Sequence, residues 1–225
     1  STTTIANNEE GNPYSPRKQG SGLADINAAI NASSYIMMNA DANAGAKDGK
    51  VKVELGDDPA RKGEYTFAYT LTNLKDTAMN YTLNTDVFTQ DLAAASSIVL
   101  LYSAVTDLPS VVTYEVNGKL VQSIGYYEGL TADDAQAILD YAVGKIELTD
   151  DQLYNYDLNE DGKVTTFDAH LILSSLNKAV IELPADGSVE VKVTIKLNQG
   201  TKDYLDHYYT SGAYIEAYSF ADEFT

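Results

Sequence analysis

A chain of 225 residues has room for one large or two small domains. Its apolar fraction of 44% and charged fraction of 21% are those of a globular protein with a sizeable core. With 15 basic against 33 acidic residues the net charge is −18. That argues against nucleic acid and anionic membrane as partners and favours cations as ligands. No stretch approaches the ~20 apolar residues of a membrane span, so no membrane insertion is expected. The absence of Cys excludes disulfides, thiolate zinc sites and thiol catalysis. His170 and His207 are the only histidines, so a multi-histidine metal site has few candidates. The chain opens on Ser1 without a charged-then-apolar leader, and reads as a processed product or an excised piece.

Residues 1–22 are polar and punctuated by Pro13, Pro16, Gly20 and Gly22, a loop pattern. Leu23, Ile26, Ala29 and Ile30 then fall at helical spacing and predict a short helix over 23–32. Asn39 to Lys50 reads as a surface loop. From Val51 the period changes to two. Val51, Val53 and Leu55 alternate with polar residues, as do Tyr65 to Leu71 and Met79 to Leu83. Val189, Val191, Val193, Ile195 and Leu197 form the cleanest strand, and Tyr214 to Phe220 a last one. Each run has one apolar and one wet face, as half-buried antiparallel strands require. Turn signals at Gly56 to Asp58, Asn73 to Asp76 and Pro184 to Gly187 separate them. The pattern predicts a mainly β fold, a sandwich of about seven strands. Two helical patterns interrupt it, over Asp133 to Val143 and Asp168 to Leu176. The chain is thus expected to hold a helical insert over 120–178.

The sharpest motif is Asp157-Leu-Asn159-Glu-Asp161-Gly162-Lys-Val164-Thr-Thr-Phe-Asp168. Side-chain oxygens stand at positions 1, 3, 5 and 12 of a twelve-residue loop with Gly at 6, the spacing of an EF-hand calcium loop. Calcium takes six to eight oxygens, and alternate residues can turn inward together. Gly162 permits the sharp turn, and the Lys163 carbonyl supplies position 7. Thr165 stands at position 9, Val164 anchors the loop in the core, and Asp168 closes the shell. The candidate ligands of one calcium ion are therefore Asp157, Asn159, Asp161, Lys163, Thr165 and Asp168. Position 12 is Asp where a conventional EF-hand has the longer Glu.

The insert resembles a type I dockerin, a tandem pair of loop-helix repeats. The segment DLNEDGKVTTFDAHLILSSL matches the second repeat well. The first aligns on its helix, with Leu130 against Val164 and Asp134 against Asp168. Its loop positions 1, 3, 5 and 6 are then Ser123, Gly125, Tyr127 and Glu128, a set that has lost the metal site. One ion is expected where a dockerin holds two. The resemblance implies a cohesin domain as partner. The recognition pair falls on Thr166 and Phe167, with Ala132 and Asp133 as first-repeat counterparts. Phe167 exposed on the helix implies docking; Phe167 packed on the sandwich implies a structural insert clamped by the ion.

The flanks resemble another family. Tyr14-Ser-Pro-Arg-Lys-Gln-Gly-Ser-Gly-Leu-Ala-Asp is similar to the C-terminal edge of the catalytic domain in cell-envelope subtilases of the lactocepin type. EYTFAYTLTNLKDTAMNYTLNTDVFTQD (64–91), LPADGSVEVKVTIKL (183–197) and SGAYIEAYSF (211–220) resemble the fibronectin-III-like domain that follows there. These resemblances imply a catalytic-domain edge over 1–32, a fibronectin-III-like β-sandwich over 33–119 and 179–225, and a dockerin-like calcium-binding insert over 120–178. They imply an extracellular or cell-surface bacterial protein, the remainder of a parent serine endopeptidase, and a cellulosome-like assembly. The Ser-His-Asp triad is not in this chain, and no Gly-Thr-Ser-Met turn occurs. This chain is therefore expected not to be an enzyme. His170 reads as a helix-surface residue and His207 as a loop or strand-end residue. Tyr126-Tyr127 and Tyr204 to Tyr218 offer rings to a sugar, though such tyrosines more commonly sit at the core edge.

Overall fold

A computed structural model of the chain describes residues 3–7, 13–39, 50–90, 105–121, 130–176 and 178–224. The fold is mainly β, and its strands pair antiparallel throughout. One sheet of five strands has the order β3 (Ser34–Met38), β4 (Glu64–Asn73), β10 (Ser188–Leu197), β7 (Ser110–Val116), β8 (Lys119–Val121). The second is built on β5 (Met79–Gln90). β11 (Glu216–Phe224) pairs along one edge of it, while β6 (Val105–Asp107) and β9 (Ala179–Leu183) share the other. A small ribbon joins β1 (Thr3–Thr4) to β2 (Leu23–Ala24).

The two-residue period places the core. β10 turns Val189, Val191, Val193, Ile195 and Leu197 inward, and β4 sets Phe67, Tyr69 and Leu71 beside them in register. Tyr81 and Leu83 of β5 meet Ile181 and Ala179 of β9 across the other sheet. The Tyr114 hydroxyl donates to buried Thr85 (2.9 Å), which bonds Ser219 in turn, so the phenol in the core keeps a partner. The segment before the sandwich is held by its own motif. In α1 (Pro16–Gln19), Arg17 donates to Glu216 of β11 at 2.8 Å and lies over the Tyr214 ring, and Ser15 donates to the same carboxylate. Gln19 bonds the carbonyls of Tyr14 and Ala6. A Cβ at Gly22 would lie 2.4 Å from the Thr4 carbonyl oxygen, so only glycine lets the ribbon close there.

Several expectations need correction. Residues 51–55 form no strand: they find no pairing partner, and Val51 and Leu55 stay exposed while Val53 touches the core. The expected helix over 23–32 is cut to α2 (Ile26–Ile30), because Leu23 is drawn into β2; Leu23, Ile26 and Ile30 are all exposed. The sandwich holds nine strands among the described residues, not about seven. The last one starts at Glu216 rather than Tyr214. His207 is neither loop nor strand end, but lies in the last turn of α6 (Gln199–Tyr208), which Asn198 caps through the Thr201 N–H.

Between β8 and β9 the chain forms α3 (Ala132–Ala142), α4 (Asp150–Tyr156) and α5 (Thr166–Leu176). They close a second core of Ala135, Ile138, Leu139, Tyr156, Ala169, Ile172 and Leu173. Val111 of β7 packs against it. It sits one step from inward-facing Val112, and so projects from the outer face of the sheet.

Candidate metal loop and helix face

The loop 157–168 joins α4 to α5 and folds on its own polar side chains. Asp157 accepts from the N–H groups of Asp161 (3.1 Å) and Gly162 (2.8 Å). Asn159 accepts from the Asp161 N–H and Asp161 from the Lys163 N–H. Short side chains that bond backbone two to five residues on are what tighten such a turn. Gly162 has φ +83 and Glu160 φ +57, so the chain reverses in the left-handed region at both. Val164 packs against the helical core, which fixes the loop's exit.

Asp168 is fully buried. Its carboxylate accepts from the Leu158 N–H (2.9 Å), the Thr165 N–H (2.8 Å) and the Thr165 hydroxyl (3.1 Å). It therefore ties both ends of the loop to the first turn of α5. The Thr165 hydroxyl also accepts from the Phe167 N–H and so caps the helix.

The same device stands 34 residues earlier. Thr131 donates to Asp134 through its N–H (2.8 Å) and hydroxyl (2.7 Å) at the start of α3. Tyr156 of α4 donates its hydroxyl to the other oxygen of Asp134 at 2.7 Å. Burial opposes the charge on Asp134, but the hydrogen bonds from Thr131 and Tyr156 outweigh it and hold the carboxyl below its ordinary value. The Tyr156 phenol is pushed up, by burial first and by Asp134 second. The first-repeat loop residues Ser123, Gly125, Tyr127 and Glu128, together with Tyr126, lie outside the described residues.

The donors on this loop are of one chemical kind. Asp157, Asp161 and Asp168 supply carboxylate oxygens, Asn159 an amide oxygen and Lys163 its carbonyl. A hard cation takes all-oxygen sets. Among the described residues no ammonium or guanidinium pairs with any of these three carboxylates. Nor do three His, Cys, Asp or Glu side chains gather into a metal-holding group among them. A cation here needs the Asn159 amide and the Lys163 carbonyl as well. The Asn159 amide now points its nitrogen at Asp161 (3.0 Å), and a rotation of that amide turns its oxygen there instead. The residues thus fit calcium in donor chemistry.

In the first turn of α5, Thr166 and Phe167 are both exposed, Phe167 by 47%. One turn on, His170 is half-buried and stacks on the Phe167 ring at 6.1 Å. The sequence reads His170 as a helix-surface residue, and it does lie on α5; its i, i+3 spacing from Phe167 was the available signal for the ring pair. In α3, Ala132 is half-buried and Asp133 exposed.

No family model matches the chain, and none of the curated proteins matches it. Fold and site define a mainly β, antiparallel sandwich with three helices between β8 and β9 and an acid-rich loop between the last two. No described helix is long and apolar enough to cross a membrane.

Proposed function

We propose that this chain is a calcium-binding interaction module: a dockerin-like insert in a fibronectin-III-like sandwich, in the C-terminal portion of a secreted subtilisin-like protease, docking to a cohesin domain. The carrying observation is the loop 157–168, whose oxygen donors lead directly into a helix that presents exposed Thr166 and Phe167. In this reading Asp157, Asn159, Asp161, Asp168 and the Lys163 carbonyl hold one calcium ion, with Thr165 acting through Asp168. The ion neutralises clustered carboxylates and stiffens the entry to α5. Peptide hydrolysis belongs to the parent protein and not to this chain. The parentage is supported by the roles of Ser15, Arg17, Gln19 and Gly22 in fastening residues 13–24. Exposed Leu23, Ile26 and Ile30 are what the edge of a larger apolar core leaves bare.

The test is association of the chain with recombinant cohesin domains, in calcium and in chelator. Binding in calcium alone supports docking; no cohesin bound in either condition overturns it. A second reading, a calcium staple without docking, is favoured by one observation: Val111 of β7 packs into the α3–α5 core, which bolts the helices to the sandwich. It expects a calcium-dependent melting temperature with no partner bound.

A further inference from the structure

Asp134 and Asp168 hold matching places at the starts of α3 and α5. On one carboxylate oxygen each takes the N–H and hydroxyl of the Thr three residues before it. The other oxygen is used differently in the two. That of Asp168 accepts from the Leu158 N–H at 2.9 Å, and that of Asp134 from the Tyr156 hydroxyl at 2.7 Å. Both donors come from one short stretch, with Asp157 between them.

Asp157 is itself the middle residue of a tight turn. Its φ of −79 and ψ of 80 are those of an inverse γ-turn, which the Leu158 N–H closes on the Tyr156 carbonyl at 3.0 Å. The turn is anchored on each side. Leu158 bonds Asp168 and packs against the helical core, while Tyr156 is buried in that core with its hydroxyl on Asp134. At 7 residues α4 is too short to hold its own line, so tertiary ties decide where it ends. A phenol bonded at its tip fixes that end, and with it the point from which Asp157 sends its carboxylate to the Asp161 and Gly162 N–H groups.

We infer that Tyr156 and Asp134 are positioning residues for the calcium loop: the carboxylate at the start of α3 holds Tyr156, and through it sets the place of Asp157, the loop's first ligand. The inference rests on the proposed calcium site and gives the first helix of the insert a part in it.

The experiment titrates the full chain with calcium alone and follows the amide signals of residues 157–168 by NMR, which reads weak and tight affinities alike. Tyr156→Phe keeps the ring and every charge and removes only the hydroxyl. It should weaken calcium about five- to tenfold, with the stoichiometry unchanged. Asp134→Ala, at a half-buried position, should weaken it at least as much. Adding Tyr156→Phe to Asp134→Ala should then cost less than about twofold more, because the bond is already gone. Ile138→Val thins the same core without touching the bond; it should lower the melting temperature in chelator and leave the affinity unchanged. An unaltered affinity in Tyr156→Phe, its full loss repeated on top of Asp134→Ala, or an equal loss in Ile138→Val would overturn the inference while the calcium site stands. No calcium bound by the unaltered chain overturns the site, and the inference with it.

Discussion

Asp168 does two jobs. It is a candidate ligand, and its own hydrogen bonds tie the loop to α5. Its buried carboxylate accepts two backbone N–H bonds, from Leu158 at 2.9 Å and Thr165 at 2.8 Å, and the Thr165 hydroxyl. Hydrogen bonds to a charged group contribute about 1.5–3 kcal/mol each. The two N–H bonds sum to about 3–6 kcal/mol, and water reaching half-buried Thr165 recovers part of it, which leaves about 3 kcal/mol. A loss of that size lowers the midpoint of a cooperative unit this long by roughly 6–12 °C. The assay is thermal unfolding of Asp168→Ala followed by circular dichroism in excess chelator. Asp168→Asn should recover little, because its amide turns a donor toward donors. An Asp168→Ala chain that melts with the unaltered protein in chelator would refute the structural half of the argument.

Gly200→Ala should destabilise by about 1–3 kcal/mol, since its Cβ meets Leu139 Cβ at 2.9 Å and α3 must shift from α6; urea unfolding beside the unaltered protein checks this. Asp134 gives a pH dependence. Its folded carboxyl titrates below the ordinary value, so its contribution is present above about pH 5 and is lost progressively as pH falls below about 3.9. Tyr156→Phe removes one bond that holds it there, and should flatten that acid limb in unfolding curves taken from pH 6 to pH 2.

What the sequence disclosed follows from how strongly physics fixes spacing. β10 was legible because five inner residues alternate without a break. The turn after α4 was legible because Asp157, Asn159, Asp161 and Gly162 are turn formers, and their side chains do bond the backbone a few residues on. The run 51–55 alternates too, but a period of two describes a strand only when a neighbour pairs with it, and none does. β7 and β8 went unread although Asn117-Gly118 marks their turn; both residues have positive φ, +49 and +77, as a tight hairpin requires. α4 went unread, although Thr149 and Gln152, which cap it reciprocally, were its signal. α6 hides behind Gly200, Asp203, His207, Tyr204 and Tyr208, weak helix formers that tertiary packing on α3 overrules. The cover that α6 lays over α3 is a contact between distant segments, invisible to any local pattern.

The central claim is that residues 157–168 hold one calcium ion. Isothermal titration of the metal-free chain with calcium, beside Asp157→Ala, tests it most directly. Asp157 makes its loop bonds to Asp161 and Gly162 from exposed or half-exposed ground, so the sandwich should survive its loss. We expect a single ion per chain, with an affinity reaching at least the ~10⁻⁴–10⁻³ M of extracellular modules, and no binding to Asp157→Ala. No heat from the unaltered chain, or an unchanged isotherm in the variant, would contradict the account.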